Sequence, residues 1–371
     1  MNFNLSEEQQ MLVDSLDRFV DSQYGFKSRR ALAATETGTS QEHWRFLADM
    51  GILGLNVPEL HGGMGKGPEE TFLVMRALGR GLVLEPIIPT AIVAPAILSR
   101  GGSPVQQDRW LPAIAAGTMK VALGLDEPDT HHELSDLQTR LHNGRLNGRK
   151  SVVLGGSSAD RLIVVARNVA GAFVLACIDA QAAGVKVDPY PNIDGQRSAE
   201  VTLTDVALDP ADVIGSDVDG LELLEWGLDH GRAALCAEAV GVMEKLFALT
   251  LDYLKSRVQF KQPIGRYQAL QHRAVDMLIA VEQAHSVALQ AAARVGDADL
   301  RVRQKAVSTG KAQIGRYGRF IGEQAIQMFG GMGMTDEFEA GHYFKRLLAI
   351  DLTWGDSPYH LQRYTGLNRG H

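Results

Sequence analysis

The stretch YLKSRVQFKQPIGRYQALQHRAVDM (residues 253–277) contains the end of one helix, a turn and the start of another. Upstream, Val242, Leu246, Leu249 and Tyr253 recur at helical spacing, and downstream Leu270, Ala274, Met277 and Val281 do the same. Two apolar stripes joined by a short connection predict long helices packed nearly antiparallel in a bundle. A second stretch, QMFGGMGMTDEFEAGHYFKRL (327–347), ends a helix at Gly330 and Gly331 and leads into a further one.

Toward the N-terminus the texture changes twice. Residues 119–220 read as a middle antiparallel β-domain. Leu162–Val165 and Phe173–Ile178 are short apolar runs, and Val201 and Leu203 alternate with Thr202 and Thr204. Asn-Gly and Asp-Gly pairs at 143–144, 147–148 and 194–195 read as hairpin turns. Residues 1–118 read as an N-terminal helical domain. Ser6 and Gln9 form a capping box ahead of Leu12, Leu16, Phe19 and Val20, and Trp44 and Leu47 lie on a second helical stretch that stops at Gly51. HGGMGKGP (61–68) lacks phosphate-loop spacing and is expected to be a flexible surface turn. The predicted order is therefore helical, strand, helical, with residues 221–371 as a C-terminal four-helix bundle, which excludes a simple doubly wound sheet.

Composition narrows the function. The chain has 371 residues, 45% hydrophobic and 22% charged, as in ordinary globular proteins of more than one structural unit. Its net charge of −7 argues against a general nucleic-acid surface. Only Cys177 and Cys236 are present, too few for a disulfide framework or a cysteine metal site. His131 and His132 are adjacent and point apart, and His342 and His360 are lone histidines, so no metal is expected. Gly-x-Ser-x-Gly is absent. The start MNFNLSEEQQ lacks a basic, apolar leader, and no apolar run nears the roughly 18 residues of a membrane span, so a cytoplasmic setting is expected.

With these motifs the chain resembles the acyl-CoA dehydrogenase superfamily. Residues 253–277 resemble its signature, an Arg-x-x-Phe pair, a Pro-Ile turn and a helix opening with Gln; residues 327–347 resemble its Gln-x-x-Gly-Gly-x-Gly loop. The resemblance implies an FAD flavoprotein that introduces an α,β double bond into an acyl-CoA thioester and passes electrons to an electron-transfer flavoprotein. It puts Arg257 on the FAD of a neighbouring subunit with Phe260 packing nearby, and matches Gln268, Gln327, Gly330 and Gly331 to positions around the cofactor. The residue types suit this: arginine offers a planar fork of donors to a diphosphate, and glycines let backbone amides come close. Ser135 matches the family's pyrophosphate-contacting serine. A site shared between subunits implies an oligomer, a homotetramer or a heterotetramer with a homologous chain.

Two departures stand out. The family's base is most often a Glu near the C-terminus, where this chain has IDLTWGDSPYHLQRY (350–364). Matching glycine to glycine puts Trp354 in its place; counting back from Gln362 and Arg363 puts Asp356 there. Trp cannot accept a proton and Asp can, but Asp356 also suits a turn that caps the next helix. The family's alternative base position on an earlier helix is occupied by Gly231, before Arg232. In the β-domain, the family's Thr-Glu-Pro reads Asp126-Glu127-Pro128, and its Trp-x-Thr beside the flavin reads Val152-Val153-Leu154, within KSVVLGG (150–156). These departures resemble small-subunit members of heteromeric bacterial acyl-CoA dehydrogenases of the pimeloyl-CoA or steroid side-chain type. Alternatives to a complete dehydrogenase are therefore a non-catalytic partner that completes the FAD site of a sister chain, or a flavin-fold lyase.

Overall fold

In the computed structural model, residues 5–128, 130, 132–215 and 218–369 are described. Helices come first: α1 (Glu7–Gln23), α2 (Phe26–Ala33), α3 (Gln41–Asp49), α4 (Pro68–Arg80), α5 (Ala94–Gly101) and α6 (Pro104–Ala115). Strands follow: β1 (Val121–Gly124), β2 (Arg140–His142), β3 (Arg145–Leu154), β4 (Arg161–Arg167), β5 (Phe173–Asp179), β6 (Val185–Pro191), β7 (Arg197–Ala207) and β8 (Val213–Ile214). Then come α7 (Gly220–Ser256), the small hairpin β9 (Val258–Gln259) and β10 (Gln262–Pro263), α8 (Gln268–Arg294), α9 (Leu300–Phe329), α10 (Ala340–Leu352) and α11 (Ser357–Arg369). The helical, strand, helical order matches the sequence. The last region holds three long helices and two short ones, where the sequence suggested four in all; α10 and α11 both pack on α9.

The chain divides into two compact units, one of residues 30–71 and 84–231, the other of residues up to Arg29, 72–83 and Arg232 onward. In the first, the sheet order is β6-β7-β3-β2-β4-β5-β8, with β1 added beside β4. Most pairs are antiparallel, but β1 and β2 run parallel to β4. Val201 and Leu203 face a core of Leu146, Val153, Leu162, Val164 and Ala176, while Thr204 is exposed, as period-two alternation requires. Asn143 and Gly144 both have positive φ and turn β2 into β3, and Gly195 turns β6 into β7. The Asn-Gly pair at 147–148 is not a turn. It lies inside β3 at a bulge, and a Cβ on Gly148 would overlap Thr139. Close approach, not chain reversal, requires that glycine.

The other unit is a helical core. The expected capping box is present, with Gln9 N–H donating to Ser6 Oγ at 3.2 Å and Ser6 N–H to Gln9 Oε1 at 3.1 Å. Val242, Leu246, Met277 and Val281 are buried, whereas Leu249, Tyr253, Leu270 and Ala274 are half-buried toward the connecting hairpin. The apolar stripes thus open at the end that carries the signature residues. Arg346 makes a buried two-pronged pair with Glu238, at 2.6 and 2.7 Å, and Tyr343 donates to Arg80 O at 2.8 Å.

Where α4 meets α7, both helices use glycine. A Cβ on Gly79 would overlap the Glu238 carbonyl, and one on Gly241 the Arg76 carbonyl. Alanine would raise helix propensity by about 1 kcal/mol, but backbone cannot yield as a flexible side chain can. Gly241→Ala is therefore expected to lower stability by about 1–3 kcal/mol in urea denaturation; a more stable variant would show the helices do not cross at this distance.

Candidate functional site

The Arg-x-x-Phe segment leaves α7 and folds into a two-residue hairpin. Ile264 N–H donates to Arg257 O at 2.9 Å, and β9 pairs with β10 through Gln259–Gln262 and Val258–Pro263. The tip is Phe260-Lys261, with φ of +49° and +67°. Tips of this type favour Asn-Gly, because left-handed backbone crowds a Cβ. Phe260 is nonetheless 84% exposed, with its ring edge-on to Tyr267 at 6.3 Å. A large apolar ring held out on strained backbone has no reason within its own chain.

Arg257 is also exposed, and its side chain makes no ion pair or hydrogen bond with any described residue. Gln268 is exposed at the first position of α8, whose N-terminus has no side-chain cap. That end carries unpaired N–H groups and a partial positive charge, which suit a phosphate oxygen.

Gln327, Gly330 and Gly331 lie at the end of α9 and the following 3-10 turn (Gly330–Met334), all exposed. Gly330 has φ +60° and ψ −138°, a conformation essentially restricted to glycine. No atom lies within 4 Å of a Cβ built on Gly330 or Gly331. These glycines therefore answer no crowding from their own chain; they leave bare backbone facing open space. An aromatic bridge joins the two signature segments: Tyr253 packs tilted against Phe329 at 4.8 Å, Phe329 meets Phe338 edge-on at 4.7 Å, and Tyr253 Oη lies 3.9 Å from Met332 Sδ. Arg273 of α8 donates to Gln324 of α9 at 3.0 Å. Six of the expected cofactor residues thus gather at one end of one unit.

Ser135 belongs to the other unit, on an exposed 3-10 turn, where its hydroxyl donates to Asp136 Oδ1 at 3.1 Å. Glu127 is buried and ion-paired with Lys150. The segment 61–66 is not a loose turn: successive amides from His61 to Lys66 bond back to carbonyls of residues 54–59. A Cβ on Gly63 would overlap Val57, so that glycine serves packing, while Gly62 and Gly65 take positive φ. His131 lies outside the described residues.

The turn between α10 and α11 carries both base positions. Trp354 is 4% exposed with φ +53°, and its carbonyl accepts from Arg232 Nε at 3.0 Å. Lys311 donates to the carbonyls of Ile350 and Asp351 at the end of α10. Burial pushes its pKa down to about 8. Asp356 is half-buried, and its Oδ1 accepts Tyr359 N–H at 2.9 Å, capping α11. Its Oδ2 bonds no described residue. His360 is buried beneath this turn and held neutral, by desolvation first and by the charges of Arg232, Lys311 and Arg363. The clamp formed by Arg232 and Lys311 was not legible in the sequence. Its only signal was a lysine on the apolar side of a helix.

Comparison with known proteins follows this geometry. Residues 6–118 match the model for the acyl-CoA dehydrogenase N-terminal domain, and residues 218–364 that for the acyl-CoA dehydrogenase C-terminal domain. Acyl-CoA dehydrogenase FadE12 of Mycobacterium tuberculosis is 30% identical over 352 residues, 91% of this chain and 89% of that one. The fold is similar to the ChsE4-ChsE5 complex from Mycobacterium tuberculosis, with a TM-score of 0.91, 26% identity and full coverage of both chains. It is also similar to a variant of the Tcur3481-Tcur3483 steroid ACAD, with a TM-score of 0.88, 27% identity and 98% of each chain covered.

If the hairpin tip is strained for the sake of what it displays, relieving it should stabilise the chain. Lys261→Gly is expected to raise stability by about 0.5–1 kcal/mol, read as a higher Tm. A lower Tm would mean Lys261 makes a compensating contact.

Proposed function

The chain belongs to the acyl-CoA dehydrogenase family, and on that premise we propose that Arg257, Phe260, Gln268, Gln327, Gly330 and Gly331 hold the FAD of a neighbouring subunit while Asp356 acts as the base. Members of the family are FAD flavoproteins, and the chain is an oxidoreductase that introduces an α,β double bond into an acyl-CoA thioester. The observation that carries the site reading is an exposed arginine that pairs with no described residue, tied by an aromatic bridge to a glycine pair facing open space. A diphosphate supplies what that arrangement lacks: two negative groups for a guanidinium fork and acceptors for backbone N–H groups. Separately, within the β-domain, Ser135 is proposed as a pyrophosphate contact.

Bound FAD supplies the two-electron acceptor for hydrogen leaving the β-carbon. The chain's own task is to orient the thioester and take the α-proton. In Asp356, Oδ1 is engaged by Tyr359 N–H, so Oδ2 is the atom that receives it. Cap and base are compatible roles, since the cap fixes the carboxylate's direction with one oxygen and leaves the other for chemistry. Arg232 and Lys311 hold the carbonyls on either side of the turn, which keeps that direction constant.

A second reading rests on Trp354. With a buried indole at one of the two base positions, the chain is suited to work beside a homologous subunit that bears its own base. Similar structures are complexes of two named components, ChsE4-ChsE5 and Tcur3481-Tcur3483. A heterotetramer with a homologous chain, acting in the cytosol and passing electrons to an electron-transfer flavoprotein, is the assembly we favour. Among the described residues, no helix is long and apolar enough to cross a membrane.

Asparagine caps helices as well as aspartate does but is no base at neutral pH. Asp356→Asn is therefore expected to keep Tm and FAD content while slowing acyl-CoA-dependent flavin bleaching by about 100-fold or more. Asp356→Ala should also lose about 1 kcal/mol of stability. Full-rate bleaching in the Asn variant would show that Asp356 is not the base.

A further inference from the structure

Lys150 has a side chain with no exposed surface, on a strand whose neighbours Arg149 and Ser151 reach solvent. Its Nζ donates to Glu127 Oε1 at 2.7 Å and to Leu125 O at 3.2 Å. Glu127 also accepts Gln138 N–H, Thr139 N–H and the Thr139 hydroxyl. Burial opposes ionisation of the Glu127 carboxyl, but the Lys150 charge and these donors hold its pKa below the ordinary value. One residue on, Ser151 N–H donates to Asp126 O at 2.8 Å. Segments 125–127 and 150–151 are thus locked together by an ion pair and two backbone contacts.

Past that lock, β3 departs from its register with β7, between Lys150 and Val153. Val152 sits there with φ +49°, 48% exposed, and its N–H donates to the Tyr190 hydroxyl at 3.1 Å. A β-branched residue in left-handed backbone is a genuine outlier, costing about 1–3 kcal/mol. Glycine would sit there without strain, yet the chain carries valine and braces it from two sides. Strain that the surroundings maintain points to a surface shaped for something outside the chain.

We infer that Tyr190 and the Glu127–Lys150 pair are positioning residues that preform the Ser151–Val153 bulge as a backbone platform for the flavin ring. The inference rests on the FAD reading above, because 126–128 and 152–154 are the segments that stand where the family's motifs have Thr-Glu-Pro and Trp-x-Thr. With the indole and hydroxyl missing at 152 and 154, backbone groups of the bulge are left to meet the ring. Those can discriminate a ring's edge only if they are held still. Tyr190 and Lys150 act through the bulge and are not expected to touch substrate.

The test uses the full-length chain in its native assembly and reads FAD affinity, the flavin absorption envelope and the Tm of the FAD-free protein. Tyr190→Phe removes one hydroxyl and no packing. It is expected to weaken FAD binding about 5- to 10-fold, the fold-change of one hydrogen bond, and to shift the flavin bands. Its FAD-free Tm should stay within about 2 °C. The double variant Glu127→Gln/Lys150→Met, which leaves no lone buried charge, is expected to weaken FAD binding further. Wild-type affinity and an unchanged spectrum in Tyr190→Phe would overturn the proposal, even if the double variant failed to fold. If the wild-type assembly binds no FAD, the functional reading falls first and this inference with it.

Discussion

A guanidinium that meets no carboxylate among the described residues is the constraint from which the functional account follows. Beside it lie strained backbone that displays an apolar ring and glycines that leave backbone bare; the strain carries a cost that the isolated chain does not recover, whereas a solvated arginine carries none. At Arg257, Phe260 and Gly330 three such features lie on adjoining segments, and the Tyr253, Phe329 and Phe338 rings fix their spacing. The rest of that unit supports this end. Long helices cross closely at Gly79 and Gly241, and buried charge pairs such as Arg346–Glu238 fix their register.

The same logic applies at the turn between α10 and α11. Trp354, Gly355 and Asp356 form a short reversal held from below by Arg232 and Lys311, with Trp354 and Gly355 in positive-φ backbone. A Cβ on Gly355 would overlap Tyr359 and crowd His360, so this glycine cannot be exchanged freely. The turn fixes which atoms of Asp356 are occupied and which are available. On the proposed assignment, one oxygen of this carboxylate caps the helix and the other takes the proton.

Much of the architecture was legible because local signals agreed with global ones. The Ser6–Gln9 capping box, the Val201–Leu203 alternation and the paired stripes on α7 and α8 each follow from the residues themselves. Other features were not, for identifiable reasons. Asn147-Gly148 has the composition of a turn, but its glycine answers Thr139 across the sheet, a contact no local pattern contains. Phe260-Lys261 has no turn composition, yet turns, because the pairing of β9 with β10 imposes positive φ on both residues. Lys150 breaks the rule that charges in strands face water, since its partner Glu127 lies 23 residues away in sequence. Residues 61–66 looked loose from their glycines but are held by backbone hydrogen bonds and by the close approach of Gly63 to Val57. The candidate site was legible at its C-terminal half and not in its supports, because supports are long-range contacts.

The most direct measurement is an equilibrium FAD titration of wild-type protein and of Arg257→Met, with the assembly state recorded for both. Loss of a charge-assisted contact of about 1.5–3 kcal/mol should weaken FAD binding about 10- to 100-fold while the assembly and the FAD-free Tm are unchanged. If Arg257→Met binds FAD as tightly as wild type, the guanidinium does not hold the cofactor and the account of this site is wrong.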